Sequence, residues 1–192
     1  MVNMNKREVS CAFIVCKVCI GGKDYLVLRR DSSWEDLNFI GGHQEPVDEG
    51  NYLATAMREV EEELPELKKF GNFELVPLTG ETQFGPVWSV SAKSETLYKI
   101  RFFLLKFIEE PIVLNDLVSH NTPNVFVSQE DITLRNEASN ISQLVQLLES
   151  SFPGGISAIP HSWGKNITNT HYKFIDKNRM LDKSSLLKRW VD

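Results

Sequence analysis

The chain has 192 residues, 42% hydrophobic and 24% charged, which excludes a disordered or collagen-like protein and predicts one globular domain with an appendage. A formal net charge of −5, with no basic block, excludes general electrostatic capture of nucleic acid or of an anionic membrane. No apolar run approaches the length of a membrane span, and the odd count of three cysteines fits a reducing compartment. We therefore expect a cytoplasmic protein whose metal, if it uses one, serves function rather than folding.

The N-terminal region predicts a β-hairpin. β-branched and aromatic residues are frequent over residues 9–20, Gly21-Gly22 marks a turn, and residues 25–30 resume an apolar run. All three cysteines lie in the first strand, where buried apolar packing is favoured over a zinc site because no fourth ligand stands at usable spacing. Residues 37–40 predict a further short strand that ends at Gly41-Gly42.

A helix is predicted to begin near Asn51 and to end at Pro65, since the residue before a proline is pushed out of the helical region. Its apolar residues recur at intervals of four, three and four, which lines one helical face; they are Leu53, Met57, Val60 and Leu64.

The remaining pattern predicts strands over residues 73–78, 87–90, 97–107 and 125–127, and a second amphipathic helix over residues 139–151. Strands and helices in this order favour an α/β fold, with a mixed sheet covered on two faces by helices. Pro153-Gly154-Gly155 breaks the pattern, so we predict a domain over residues 1–152 and a C-terminal extension over residues 153–192. The extension is too aromatic for a solvated linker and is expected to pack on the domain or on a partner.

The first helix carries three glutamates within roughly 100° of arc, centred some 140° from the apolar residues. These glutamates are Glu59, Glu62 and Glu63. Like charges on one turn destabilise a helix, and the helix dipole disfavours anions near its C-terminus. A bound Mg²⁺ or Mn²⁺ reverses both effects, because these cations prefer carboxylate oxygens and retain waters for a phosphate ligand. A solvated acidic face is the alternative.

The stretch from Gly41 to Leu64 resembles the Nudix box, Gly-x5-Glu-x7-Arg-Glu-apolar-x-Glu-Glu-x-Gly-apolar. Gly42 stands for the first glycine, and the matching central residues are Arg58, Glu59, Val60, Glu62 and Glu63. The upstream glutamate is displaced, since Glu49 lies seven residues after Gly42 instead of six and nine before Arg58 instead of eight. A two-residue loop expansion explains the displacement, and Pro65-Glu66 replaces the terminal glycine and apolar residue. The resemblance implies a Nudix-like α/β/α sandwich and extends to about residue 150.

The resemblance also implies a metal-dependent hydrolase that cleaves a diphosphate linkage in a nucleoside diphosphate derivative. Glu59, Glu62 and Glu63, with Glu49 as a further candidate, would hold Mg²⁺ or Mn²⁺ for attack of an activated water on phosphorus. Glu59, Glu62 and Arg58 are the candidate catalytic residues, with Arg58 expected to orient a box glutamate such as Glu49 and phosphate contact as its alternative. The candidate substrate-binding residues are Gly41, Gly42 and Arg30. Only one of the neighbours Arg29 and Arg30 can face the site.

The sequence leaves the roles of several other side chains open. An assisting acid is sought among Glu45, Glu109, Glu110, Glu130 and Asp131, and His43 is a candidate phosphate contact. Trp34, Phe84 and Trp88 are candidates to stack on a nucleobase or to pack in the core. The alternative function is a Nudix-like module that senses a nucleotide without cleaving it, and a third is a scaffold with an acidic surface. A homodimer or a protein partner could engage the C-terminal extension.

Overall fold

A computed structural model gives the fold of residues 6–31, 36–70, 73–109, 122–132, 140–167 and 180–181. The strands in chain order are β1 (Arg7–Val15), β2 (Lys17–Ile20), β3 (Lys23–Asp31), β4 (Asp36–Asn38), β5 (Ile40–His43), β6 (Phe73–Pro77), β7 (Thr82–Ser89), β8 (Ser94–Phe107), β9 (Asn124–Ser128) and β10 (Met180–Leu181). The helices are α1 (Tyr52–Glu63), α2 (Pro65–Phe70), α3 (Gln129–Ile132), α4 (Asn140–Ser151) and α5 (Gly155–Ala158), and a 3-10 helix spans Pro46–Asp48.

The strands form two five-stranded sheets. The first has the order β5-β1-β8-β6, with β7 also paired to β8, and the second has the order β10-β9-β3-β2, with β4 paired to β3. Strands β1 and β8 run parallel over nine residue pairs, whereas β5, β6 and β7 pair antiparallel with their neighbours. The first sheet is therefore mixed, as the sequence predicted.

Alternation along β1 places its side chains in two separate cores. Ala12 and Ile14 join one cluster together with residues of α1 and α2, while Phe13 and Val15 join a second cluster together with residues of α4. Side chains of successive strand residues point to opposite faces, so the sheet carries helices on both sides. The predicted α/β/α sandwich is confirmed.

Helix α1 begins and ends where the sequence predicted. The Oδ1 atom of Asn51 accepts hydrogen bonds from the N–H groups of Leu53 and Ala54, at 2.9 and 3.4 Å, which satisfies two otherwise unpaired donors of the first turn. At the other end the helix stops at Glu63, two residues before Pro65.

The buried face of α1 differs from the predicted one. Val60 and Leu64 are buried as expected, but Leu53 and Met57 are 43% and 38% exposed, and Ala56 is buried in their place. The prediction was wrong for these two residues, because the helix is rotated so that Glu59, 7% exposed, also faces the sheet.

The hairpin predicted around Gly21-Gly22 is formed by β2 and β3. The long first strand, however, divides at Cys16, so that β1 belongs to one sheet and β2 to the other. Gly41 and Gly42 lie within β5 and do not end a strand.

Part of the predicted C-terminal extension contacts the hairpin. Backbone hydrogen bonds link Ser162 N–H to the Lys17 carbonyl at 2.7 Å and Ile167 N–H to the Cys19 carbonyl at 2.7 Å. The tail aromatics Tyr172, Phe174 and Trp190 lie outside the described residues. The boundary at residue 152 stays a prediction. Within the described ranges, no helix is long and apolar enough to span a membrane.

Candidate active site

Two adjacent glycines let β5 pass between β1 and α1. Gly41 has a φ of 136°, and a Cβ there would collide with the Ala12 carbonyl oxygen and the Phe13 backbone. A Cβ on Gly42 would stand 2.5 Å from the Oε1 atom of Glu59. The missing side chain of Gly42 therefore leaves the space in which Glu59, the first glutamate of the predicted triad, lies, whereas that of Gly41 allows close pairing with β1.

The three glutamates of α1 differ in their access to water. The side chain of Glu59 is 9% exposed and that of Glu63 16%, whereas that of Glu62 is 57% exposed. Burial raises the pKa of Glu59 to about 7; the nearby charge of Glu63 adds to the shift, and Arg58 opposes it. Burial also raises the pKa of Glu63, against the lowering effect of the Gly41 N–H and of Arg29.

Arg58 connects the helix to the loop before it. Its guanidinium donates to both carboxylate oxygens of Asp48, with Nε at 3.2 Å and Nη2 at 3.0 Å, and Nη2 also donates to the His43 carbonyl at 2.8 Å. Its Nη1 donates to Glu59 at 2.9 Å and to Glu62 at 3.3 Å. This fork-like contact fixes both partners in plane, and Arg58 holds the pKa of Asp48 down at about 2.

Asp48 takes the place that was predicted for Glu49. Glu49 is exposed, has a φ of 51° and ends the 3-10 helix, with its N–H bonded to the Pro46 carbonyl. The sequence carried a signal that was missed, since Asp48 lies six residues after Gly42, the spacing that the Nudix pattern gives to its upstream acid. The loop expansion therefore falls after this acid.

Arg29 reaches one of the glutamates of α1. Its Nη1 atom forms an ion pair with Oε1 of Glu63, while the Gly41 N–H donates to Oε2 of the same carboxylate at 2.9 Å. Alternation along β3 directs the side chain of Arg30 to the opposite face. Arg29 is thus placed against the predicted triad, and substrate binding by Arg30 stays a prediction.

A cleft of about 410 Å³ adjoins the glycine strand. Its lining includes the aromatic side chains of Phe84, Trp88 and Tyr98, and the polar side chains of Asn38 and Gln143. The rings of Phe84 and Tyr98 are 6.3 Å apart, and Trp88 is 62% exposed. Of the predicted stacking residues, Phe84 and Trp88 thus line one cleft, and Trp34 lies outside the described residues.

The candidate assisting acids that the structure describes lie at different places on the molecule. Glu45 lies 3.9 Å from Nη1 of Arg58, Glu109 is exposed, and Glu130 lies 3.9 Å from Lys23. Glu110 and the side chain of Asp131 fall outside what the structure describes. His43 offers Arg58 its carbonyl, and its ring lies 6.2 Å from that of Tyr98.

The donor chemistry of Glu59, Glu62 and Glu63 suits Mg²⁺ or Mn²⁺, since all the donors are carboxylate oxygens. Among the described residues, however, no group of three or more His, Cys, Asp or Glu side chains is arranged to hold an ion. Arg58 and Arg29 bind oxygens of these glutamates instead. A cation at this position would compete with these guanidinium groups for the carboxylate oxygens.

Neither a family model nor a curated protein matches the sequence. Among solved structures, the fold is similar to C. elegans Ap4A hydrolase, with 16% identity, coverage of 74% of this chain and 96% of that chain, and a TM-score of 0.48. It is also similar to the Nudix domain of Shewanella oneidensis NrtR in complex with ADP ribose, with 10% identity, 77% and 90% coverage and a TM-score of 0.45. It is similar as well to a Nudix hydrolase from Nitrosomonas europaea, with 15% identity, coverage of 82% of this chain and 97% of that chain, and a TM-score of 0.45. Nudix proteins, the family that the sequence resembles, are thus among the structures with a similar fold.

Proposed function

We propose that this protein is a Nudix-type hydrolase that uses Mg²⁺ or Mn²⁺ to cleave a diphosphate linkage in a nucleoside diphosphate derivative. The observation that carries the proposal is the placement of Glu59 and Glu63 against the glycines Gly41 and Gly42 of β5. A cluster of carboxylates at a glycine-containing strand provides oxygen ligands for a hard cation at one place.

The position of each residue suggests its role. Glu59, Glu62 and Glu63 are proposed to hold the cation, which when bound supplies an activated water and neutralises negative charge on phosphorus oxygens. Arg58, fixed at 3.0 and 3.2 Å by Asp48, keeps Glu59 and Glu62 in place by hydrogen bonds. Arg58 is therefore proposed as a positioning residue.

The adjacent cleft is proposed to take the organic part of the substrate. Phe84, Trp88 and Tyr98 offer flat apolar surfaces on which a nucleobase can stack. A wall of this kind also excludes water from one side of the diphosphate, which strengthens the electrostatic contacts made there.

The test is release of phosphate-containing products from a panel of nucleoside triphosphates, sugar nucleotides, dinucleoside polyphosphates and ADP-ribose, with Mg²⁺ or Mn²⁺. The double variant Glu62→Gln with Glu63→Gln is expected to lose turnover and keep its fold, because amides bind these cations far more weakly than carboxylates. Glu61→Gln is the matched control, since Glu61 lies on the same helix but bonds Lys68 at 3.2 Å. Full turnover in the double variant removes this site from consideration.

A second candidate function is a sensor that binds a nucleotide without cleaving it. The specific observation in its favour is that Arg29 and the Gly41 N–H together engage both oxygens of Glu63, so that a cation competes with two donors for this carboxylate. Tight nucleotide binding with no product, across several divalent metals, supports the sensor. In that case a homodimer or a protein partner, engaged through residues 153–192, is the proposed recipient of the signal.

The proposed place of action is the cytoplasm. All three cysteines are free thiols, and Cys11 and Cys16 are buried. Burial raises the pKa of each of these two thiols to about 12. Thiols of this kind act as apolar packing groups, which suits a reducing compartment.

A further inference from the structure

Arg29 is a cation placed on the proposed metal-binding carboxylates by a different element from Arg58. Strand β3 sets its position through pairing of Arg29 with Asn38 on β4 and with Asn124 on β9. From there its guanidinium reaches across to Glu63, whose side chain is only 16% exposed. The contact joins the second sheet to helix α1, and so it is not a chance pairing of two flexible surface groups.

The contact uses an oxygen that a metal ion would need. Oε1 of Glu63 is bound by Arg29 and Oε2 by the Gly41 N–H at 2.9 Å. Each carboxylate oxygen keeps a further lone pair, so a divalent cation can share Glu63 with these donors, but the positive charge of the Arg29 guanidinium competes with it. The Gly41 N–H belongs to the backbone of a paired strand and cannot move away, whereas the Arg29 side chain is 36% exposed and can rotate.

Arg58 is not in the same position. Its main partner is Asp48, which lies outside the glutamate triad, and the Asp48 side chain is 3% exposed. Arg58 can therefore keep its place when the glutamates bind a cation, whereas in the part of the chain that the structure describes the ion pair of Arg29 is with Glu63.

We infer that Arg29 is an internal counterion of Glu63 that competes with a divalent cation for this carboxylate. The inference rests on the proposed function, because it concerns the same three glutamates. Arg29 sets the affinity of Glu63 for the metal by competition. A planar guanidinium suits a carboxylate partner.

The test measures binding of Mn²⁺ alone to the full chain, with free Mn²⁺ followed by electron paramagnetic resonance. Arg29→Gln is compared with Arg30→Gln, which removes the same charge one residue away on the opposite face of β3. Arg29→Gln is expected to lower the Kd for Mn²⁺ by roughly three- to tenfold relative to Arg30→Gln, the range expected for loss of one partly exposed ion pair. Arg29→Lys, which keeps the charge but not the fork, is expected to fall between Arg29→Gln and the parent.

A Kd for Arg29→Gln that equals or exceeds that of Arg30→Gln overturns the inference, because it makes Arg29 a support that holds Glu63 for the metal. If Arg29→Gln does not fold, Arg29→Lys decides the question: a Kd for Mn²⁺ below that of the parent supports the inference, and an equal or higher Kd overturns it. Mn²⁺ binding by the parent without tightening in the variants refutes only the role of Arg29. No Mn²⁺ binding by the parent refutes both this inference and the proposed metal-dependent hydrolase.

Discussion

Glu59 is a carboxylate that the fold holds almost out of water, with 7% of the residue exposed. Gly42 makes the space for it, and a Cβ on that glycine would stand 2.5 Å from its Oε1 atom. Burial of a charged group costs free energy unless the charge is paired, and Arg58 provides one hydrogen bond at 2.9 Å. The arrangement favours the protonated acid when no cation is present.

This burial predicts how stability depends on pH in the absence of divalent cations. The pKa of Glu59 is about 7 in the folded protein against an ordinary value of 4.5. Because the folded pKa is raised, the contribution of Glu59 to stability is complete below pH 4.5 and is lost as pH rises through 7. Glu59→Gln cannot ionise, so its free energy of unfolding relative to the parent is expected to rise by about 1–3 kcal/mol between pH 5 and pH 8.

Urea unfolding at pH 5 and pH 8 in EDTA measures this difference. Glu61→Gln is the control, because Glu61 lies on the same helix with its side chain 51% exposed, and a smaller change is expected there. The same difference between Glu59→Gln and the parent at both pH values contradicts the prediction.

Asp48 shows what spacing in a sequence can and cannot give at the residue scale. The residue six positions after Gly42 carried the right charge, yet the glutamate one position later matched the expected residue type and was preferred. The choice is decided by backbone conformation, since the 3-10 helix at Pro46–Asp48 turns Asp48 inward to Arg58 and leaves Glu49 exposed. A turn of this kind depends on three-dimensional contacts and is not readable from one sequence.

Helix α1 illustrates the same limit at the scale of an element. Its ends followed from local chemistry, the side-chain cap at Asn51 and the steric effect of Pro65. The rotation of the helix about its axis did not follow from the sequence. The spacing of the apolar residues predicted a buried face that included Leu53 and Met57, and both are exposed. The helix is oriented with Glu59 against Gly42, so that part of its polar side faces the sheet. A pattern of apolar residues cannot predict that a carboxylate is buried.

The observed rotation makes a prediction for two apolar residues of α1. Leu53→Gln removes a side chain that is already 43% exposed, so the change in unfolding free energy is expected to stay within about 0.5 kcal/mol. Val60→Ala removes two methyl groups from a residue that is 1% exposed, and about 1–3 kcal/mol is expected to be lost. Chemical denaturation of both variants measures the two values. Equal losses of unfolding free energy in the two variants would mean that Leu53 is as buried as Val60, as the periodicity predicted.

At the scale of the whole molecule, the order of elements and the mixed sheet were predictable, because apolar alternation and helical spacing are local properties. The division of the first strand between two sheets was not predictable, since it depends on partners far along the chain, such as β8 and β9. The attachment of residues 155–167 to the hairpin was likewise not predictable from the sequence. The sequence marked Pro153-Gly154-Gly155 as a break, but the segment that follows returns to the hairpin through Lys17.

Lys17 is a charged residue inside the molecule, with 1% exposed. Its ammonium donates to the carbonyl oxygens of Ile156, Ser157 and Ile159 at 3.0, 3.2 and 3.1 Å, so all three of its donors have an acceptor. Asp24 lies 3.5 Å from the same nitrogen and balances its charge. The three carbonyls lie in and just after α5, where a helix carries its negative dipole end.

Replacement of Lys17 is therefore expected to loosen the C-terminal segment and destabilise the whole domain. Lys17→Met keeps the apolar stem but removes the ammonium donor from all three carbonyls, of which that of Ile156 keeps the Ile159 N–H at 3.1 Å, and a loss of about 2–4 kcal/mol in unfolding free energy is expected. Lys106→Met is the matched control, because Lys106 bonds Glu74 at 3.0 Å with its side chain 55% exposed, and at most about 1 kcal/mol is expected there. Urea unfolding measures both, and limited proteolysis after residue 154 reports release of the segment. A loss for Lys17→Met no larger than for Lys106→Met would mean that the segment is held by its apolar residues and backbone hydrogen bonds alone.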